Sequence, residues 1–474
     1  MGRIPRRRIL QSAAAASLLG IGGGAALAAE EVRGRKLVSP GCRGSKVKVA
    51  RVFLGIPRAH YPNPAIDLEA EVRAYRAGFE EWESELADVE FTADGLLSSA
   101  ADFAAVKEKL GSADGILVVH LTLGTLGLMR EILGLGRPTV IFSPPYAGHE
   151  WYELSAIRRS DLGKRMECIL STDHRELVRA LRSFRALHHF REARVLNVAT
   201  WAAGAYGDEV KKTLGTEIRQ VPRDRVLELY EAVPEAAAKA EAEAWTKGAV
   251  EVVEPSAEEI FKSAKLALAF ERLLDVEGAT VLTVDCYGSM WRQLPAYPCI
   301  GFARLSDMGF GGICQSDLPC ALVHILFQGL SGRPGFVSNP TFDFANGLVT
   351  LIHCLAPRKM DGPDGPSAPY RLRSVMEREE GATPEVEMRP GRRATAAIFD
   401  GMKTIRYFTG EVVEAPRTDR GCRTKMAIRV VGDAEKLWRN WTAGIHRVAC
   451  YGDLSKDLER FARFAGFELL NEAV

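Results

Sequence analysis

Short apolar runs alternate with longer stretches of helical spacing in the first third of the chain. The apolar runs predict strands at Lys46–Ile56, Val89–Thr92, Gly115–His120 and Pro138–Phe142. The stretches between them predict helices at Ile66–Leu86, Ala100–Leu110 and Leu123–Leu133. Apolar strands alternating with helices are typical of a parallel sheet covered on both faces. We therefore expect an N-terminal α/β domain over residues 46–192.

The same alternation returns in the middle of the chain. Strands are predicted at Ala193–Ala199, Ile218–Val221 and Ala279–Val284. Helices are predicted at Arg223–Ala242 and Ala257–Glu277, and Ser256 with Glu259 forms a capping box for the second of them. These elements predict a second Rossmann-like or flavodoxin-like α/β domain over residues 193–340.

The pattern changes after His353 to short segments of mixed polarity. They lie at Tyr370–Val375, Val386–Arg389, Ala394–Phe399, Lys403–Val413 and Thr424–Val431. Such segments separated by turns indicate antiparallel strands in a small barrel or sandwich. We expect a C-terminal β domain over residues 341–474, with a final helix at Lys456–Gly466.

The N-terminus has the composition of an export signal. Arg6-Arg7-Arg8 precedes a run rich in Ala, Gly and Leu, and Ala26-Leu27-Ala28 resembles a cleavage site. This arrangement predicts a twin-arginine signal over residues 1–28 and a periplasmic or secreted protein. A membrane anchor is the weaker interpretation, because the run is short and rich in Ala and Gly rather than Leu.

Composition excludes several classes of protein. The chain is 47% hydrophobic and 26% charged, as ordinary folded proteins are. Without residues 1–28 it has 58 basic and 61 acidic side chains, so its charge favours neither nucleic acid nor an anionic membrane as partner. The nine cysteines are scattered and odd in number, which predicts buried free thiols rather than disulfides.

Candidate chemistry is densest between Gly309 and Cys354. Gln315 and Asp317 follow a buried strand, and they share a face if the strand continues to Asp317. Leu318–Gln328 then reads as a helix with Asp317 as N-cap and Gly329 at its end. Asp317 is thus either a site residue or only a helix cap.

Three segments in this half of the chain resemble the L-fucose/L-arabinose isomerase family. Gln315-Ser316-Asp317 stands where the family has a Glu-x-Asp unit between a strand and a helix. The segment from Phe342-Asp343 to His353 is similar to the family's second acidic ligand and following histidine. Thr442–Asp453 resembles its late Gly-x-His segment, here with His446. The first domain matches only in general pattern.

The resemblance implies a metal-dependent isomerase that interconverts an aldose and a ketose through an enediol, in a homo-oligomer such as a trimer or hexamer. It implies Mn²⁺, or Mg²⁺, because hard cations prefer carboxylate oxygens. By the same resemblance Asp343, His446 and Gln315 would be metal ligands, with Gln315 and Asp343 as the catalytic positions. An amide cannot accept and return a proton, and acid–base catalysis contributes about 10²–10⁴-fold, so Gln315 should impair isomerisation.

Other residues are candidates for contact with a sugar. His353, His120, Asp317 and Trp291 are the predicted substrate-binding residues, although His120 could equally be a hydrogen-bonded core histidine and Trp291 a core aromatic. Asp285 is a second candidate base or a turn-forming aspartate. His149 either lines the site of a neighbouring subunit or belongs to a polar loop.

The sequence leaves three functions to compare. The first is an exported metal-dependent sugar isomerase, and the second is a catalytically inactive carbohydrate-binding protein of the same fold. The third, a periplasmic solute-binding protein, shares export and two α/β domains. It does not account for the extra β domain or for His353 and His446.

Overall fold

A computed structural model describes residues 37–147 and 150–474. The predicted signal over residues 1–28 and the candidate His149 lie outside these ranges.

The first parallel sheet is built from the apolar runs of the first third. Its strands are β1 (Val47–Leu54), β2 (Val89–Leu97), β3 (Gly115–His120), β4 (Thr139–Ser143) and β5 (Met166–Leu170). They are arranged in the order β2-β1-β3-β4-β5, which is the flavodoxin-like order. The accompanying helices are α1 (Leu68–Glu80), α2 (Ala100–Ser112), α3 (Leu126–Leu133), α4 (Trp151–Arg158) and α5 (Arg175–Glu192). Every residue of β3 and β4 is buried, as expected for strands covered on both faces.

The second parallel sheet has the order β10-β9-β6-β7. The strands in this part of the chain are β6 (Arg194–Val198), β7 (Glu217–Val221), β8 (Glu251–Val252), β9 (Val281–Val284) and β10 (Gly311–Cys314). The helices are α6 (Gly204–Leu214), α7 (Arg223–Glu231), α8 (Glu235–Gly248), α9 (Ala257–Glu277), α10 (Cys299–Asp307) and α11 (Leu318–Ser331). The expected capping box of Ser256 and Glu259 begins α9.

Two helix predictions in this region are wrong in detail. The single helix expected at Arg223–Ala242 is two helices, because Pro234 lacks the N–H that a continuous helix needs. Helix α11 continues past Gly329 to Ser331 and ends at Gly332, whose φ of 70° suits a glycine C-cap. Gly329 instead allows close packing, because a Cβ there would lie 2.5 Å from the Cα of Ala186.

A closed antiparallel barrel follows. Its strands are β11 (Phe336–Asp343), β12 (Leu348–His353), β15 (Arg393–Asp400), β16 (Thr404–Glu414), β17 (Thr424–Val430) and β18 (Arg447–Tyr451). The order is β15-β18-β11-β12-β17-β16, and the pairing of β15 with β16 closes the barrel. Strand β19 (Glu468–Asn471) adds to β16, and the helices are α12 (Ala434–Asn440) and α13 (Ser455–Ala465). The predicted fold class, two parallel-sheet α/β units followed by an antiparallel barrel, is confirmed.

One strand expected in the barrel lies elsewhere. Strand β13 (Tyr370–Val375) pairs with β14 (Glu380–Val386) and β8 in a small separate sheet. Strand β14 ends at Val386, where the sequence predicted a strand over Val386–Arg389 to begin.

The second sheet and the barrel share their hydrophobic cores. Leu282 and Phe302 belong to one cluster with Phe336 and Met426 from the barrel interior. Helix α11 packs against the outer face of the barrel in a second cluster. The carboxyl ends of β9 and β10 therefore meet the barrel directly. The boundaries at residues 192 and 340 stay a prediction.

All nine cysteines lie in the described ranges and are free, and eight of them are buried, as the sequence predicted. Within residues 37–147 and 150–474, the helices are too short or too polar to cross a membrane.

Candidate functional site

The turn after β10 sets the direction of the first candidate residues. The strand stops at Cys314, and Gln315 and Ser316 have φ values of 61° and 51°. Left-handed backbone at two non-glycine residues costs of order 1–3 kcal/mol each. The Oγ of Ser316 donates a hydrogen bond to Asn197 Oδ1 over 2.6 Å, which helps to hold the turn. The strand therefore does not continue to Asp317, which was the condition for Gln315 and Asp317 to share a strand face.

Asp317 is both a helix cap and a member of a buried acid–imidazole pair. Its Oδ1 accepts from the N–H of Cys320 over 2.9 Å at the start of α11. Its Oδ2 lies 2.8 Å from Nδ1 of His446, whose ring is buried just before β18. Burial raises the pKa of Asp317, but the hydrogen bond and charge of His446 outweigh burial and lower the pKa. The carboxylate thus stays charged and holds the imidazole in place through Nδ1.

His353 lies against this pair. The centroids of its ring and that of His446 are 5.3 Å apart in an edge-to-face arrangement. Burial lowers the pKa of His353 to about 3, so the ring is neutral. Its Nδ1 has no hydrogen-bond partner among the residues that the structure describes.

Two further residues of the junction were not identified from the sequence. Asn339 lies on β11 next to the position where β11 pairs with β18, and its Oδ1 is buried. The hydroxyl of Tyr206 on α6 is also buried, and the charge of Asp317 acts on it. Neither atom has a hydrogen-bond partner within the described part of the chain. Asn339 could have been identified in the sequence as a polar residue inside an apolar strand. Tyr206 has no comparable sequence signal apart from its position after β6.

Asp343 is not part of this cluster. It pairs with Leu348 at the far end of β11, four residues beyond Asn339, or about 13 Å along a strand at roughly 3.3 Å per residue. Its side chain is exposed and accepts from Asn346 Nδ2 over 2.7 Å, which closes the hairpin between β11 and β12. The structure therefore does not bring Asp343 to His446, and the predicted metal and catalytic position is corrected to a hairpin residue.

The side chains at the junction do not fit Mn²⁺ or Mg²⁺. Gln315 is half-buried on the turn, and Asp317, Cys320 and His446 bring their donor atoms within 4.8 Å of one another. Of the residues gathered here one is a carboxylate, and it is already paired twice. Hard cations prefer several carboxylate or carbonyl oxygens, whereas a thiol belongs to softer metals.

His120 is a core histidine rather than a substrate contact. It is completely buried at the end of β3. Its Nδ1 lies 3.0 Å from the Oγ of Ser143, and its Nε2 lies 2.7 Å from the carbonyl oxygen of Thr122. The carboxylate of Glu150 is also 3.1 Å from Nε2. Both ring nitrogens are therefore occupied, and the prediction for His120 is corrected.

Trp291 and Asp285 lie in the loop after β9. The guanidinium carbon of Arg378 is 3.6 Å from the centroid of the Trp291 ring, so that face is covered by a cation rather than open to a sugar. Asp285 Oδ2 accepts from the N–H of Ser289 over 2.8 Å and from the indole N–H of Trp201 over 3.0 Å. Asp285 is thus the turn-forming aspartate of the two alternatives.

The geometry therefore gathers Asp317, His446 and His353, with Gln315 beside them, at the carboxyl end of the second sheet. It leaves Asp343 and His120 outside, places Tyr206 near Asp317, and places Asn339 on the strand that pairs beside His446. No known family model and no curated protein matches this chain.

Proposed function

We propose that this protein is an exported carbohydrate-binding protein with an isomerase-like architecture, in which metal-dependent aldose–ketose isomerisation is lost. The observation that carries the proposal is the composition of the junction cluster. It has one carboxylate, at Asp317, together with buried polar atoms of His353 and Asn339 that lack hydrogen-bond partners in the described part of the chain.

Unpartnered buried atoms favour a ligand rich in hydroxyl groups. An unsatisfied buried polar atom costs about 1–3 kcal/mol, and His353, Asn339 and Tyr206 each contribute one. A sugar hydroxyl both donates and accepts, so it can satisfy imidazole nitrogen, amide oxygen and phenol alike. The position also fits, because open α/β sheets bind ligands outside the carboxyl ends of their strands near the point where strand order reverses. In the second sheet this point lies between β6 and β9.

Loss of isomerisation is inferred from what a metal would need. An enediol mechanism assisted by a cation requires carboxylates to hold that cation and a carboxylate to move the proton. Gln315 replaces one of these carboxylates, and Asp343 lies at a hairpin away from the cluster.

The pair of Asp317 and His446 favours a second candidate function. A carboxylate that holds the Nδ1–H of an imidazole over 2.8 Å makes Nε2 an oriented proton acceptor. Such a pair could move a proton on the bound sugar without a metal.

A panel of aldoses, tested with and without added Mn²⁺, separates these functions. We expect heat of binding with at least one sugar in the calorimeter and no ketose product in either condition. Ketose formation that depends on Mn²⁺ would contradict the proposal and restore the isomerase. Metal-independent uptake of solvent deuterium into the sugar, lost in His446→Gln, would establish the second candidate instead.

A further inference from the structure

A second cluster of potential ligands, separate from Asp317 and His446, lies beyond His353. Cys354 follows β12 directly, and Cys422 precedes β17, which is the neighbour of β12 in the barrel. The antiparallel pairing of His353 with Thr424 brings the two thiols to the same end of these strands. Glu377 reaches them from the turn between β13 and β14.

The donor atoms of this cluster are close enough to share one cation. Sγ of Cys354, Sγ of Cys422 and a carboxylate oxygen of Glu377 all lie within 4.8 Å of one another. The thiol of Cys422 donates to Glu377 Oε1 over 3.0 Å. The hydroxyl of Tyr287 donates to Glu377 Oε2 over 2.9 Å and lies 3.8 Å from the sulfur of Cys354. The thiols are buried while Glu377 is exposed, so the cluster has an open side for entry of an ion.

The donors of the cluster now share protons with one another. The Cys422 thiol and the Tyr287 hydroxyl both donate to the Glu377 carboxylate. A divalent cation that displaces the thiol protons would bind both sulfurs and the carboxylate at once.

We propose that Cys354, Cys422 and Glu377 bind a thiophilic divalent cation such as Zn²⁺, with a water molecule as the fourth ligand on the open side of the cluster. Two thiolates and one carboxylate are donors that zinc sites use, and a site with three protein ligands keeps its fourth position for water. Binding releases the two thiol protons to solvent, and no electron is transferred. The hydroxyl of Tyr287 holds the Glu377 carboxylate in place by donating to Oε2, the oxygen that does not accept from Cys422. The ion would join the end of the barrel to the turn of the small sheet.

Cobalt substitution tests this site in the reduced, metal-stripped mature chain. Titration with Co²⁺ should give one equivalent bound, a near-ultraviolet thiolate-to-cobalt charge-transfer band and the intense visible bands of tetrahedral Co²⁺. Zn²⁺ should displace it. Cys422→Ser should weaken Co²⁺ binding by at least about 100-fold and remove most of the charge-transfer intensity. The matched control is Cys450→Ser, another buried barrel cysteine, which lies against Ser331 and should change neither.

Two further variants keep the test decisive. Glu377→Gln alters an exposed residue and should fold normally, and it should weaken Co²⁺ binding by about 10–100-fold. Asp317→Asn should leave the cobalt spectrum unchanged, so failure of the sugar-binding proposal and failure of this one are distinguishable. The proposal is overturned if the wild-type protein gives no thiolate-to-cobalt band. It is equally overturned if the band survives Cys422→Ser, or if Cys354 and Cys422 are joined by a disulfide in the protein as purified.

Discussion

Removal of one charge from a buried ion pair beside His446 should unfold the barrel end of the site. Arg447 and Glu472 have completely buried side chains and share two hydrogen bonds of 2.6 and 2.9 Å. Arg447 Nη1 also donates to the carbonyl oxygen of His446 over 2.8 Å, and the ring of Trp441 covers the guanidinium at 4.3 Å. Glu472→Gln would leave the guanidinium buried without its counter-charge.

The expected cost follows from the burial of both groups. Breaking a buried pair by removing one partner costs about 3–5 kcal/mol, because the remaining charge has neither water nor a partner. Replacing both at once, as Arg447→Met with Glu472→Leu, should cost far less and can even be stabilising. Glu472→Gln should also weaken sugar binding, because Arg447 without its counter-charge no longer holds the carbonyl oxygen of His446 in place.

Urea denaturation followed by tryptophan fluorescence measures these differences in the free energy of unfolding. The control is Arg406→Gln, which breaks the partly exposed pair with Asp400 and should cost less than about 1 kcal/mol. If Glu472→Gln destabilises the protein no more than Arg406→Gln does, the reasoning about buried charge is refuted.

Three other changes have definite expected outcomes. Gln315→Glu should raise Mn²⁺ affinity and any isomerase activity by placing a second carboxylate beside Asp317; no gain in calorimetry or in ketose formation would count against Gln315 as a site residue. Burial lowers the pKa of His353 to about 3. Below about pH 6.5 this imidazole therefore takes up a proton in the unfolded chain but not in the folded chain, so the free energy of unfolding falls as the pH drops from 6.5 toward 3. His353→Gln should therefore reduce this slope by about 1.4 kcal/mol per pH unit in urea titrations at several pH values, and an unchanged slope would contradict a neutral buried ring. Gly329→Ala should cost about 1–3 kcal/mol in thermal unfolding because its Cβ would meet the backbone of Ala186, whereas Gly111→Ala, in helix α2 with open space around it, should not show that steric cost.

Local pattern predicted the parallel sheets well. Strand β3 and helix α9 have the bounds read from the sequence, because a fully apolar run and a capping box are local signals. The barrel strands β11 and β18 were missed as strands, since polar residues such as Asn339 and Arg447 interrupt their apolar pattern. The place of β13 in a small sheet depends on pairing with the distant β8, which no local pattern contains.

The site was predicted in part for equally physical reasons. Asp317 and His446 were both identified, and they meet over 2.8 Å. The choice of Asp343 followed the expectation of an acid, but an eight-residue strand places that acid at the opposite end from His446. The direction of the Gln315 side chain depends on a left-handed backbone conformation, which glutamine rarely adopts and which its presence in the sequence does not predict. Asn339 escaped notice because an amide is not the ligand that a hard cation prefers.

The most direct test of the proposed sugar site compares Asp317 and Asp343, two aspartates that the sequence analysis named as site residues in different roles. Calorimetry would follow the tightest-binding aldose of the panel into the wild-type protein, Asp317→Asn and Asp343→Asn. Loss of a charged hydrogen-bonding group costs about 1.5–3 kcal/mol, so Asp317→Asn should weaken binding by about 10–100-fold, while Asp343→Asn should bind as the wild type does. Binding that is indifferent to Asp317→Asn, or that falls equally in Asp343→Asn, would contradict the placement of the site at the junction of the second sheet and the barrel.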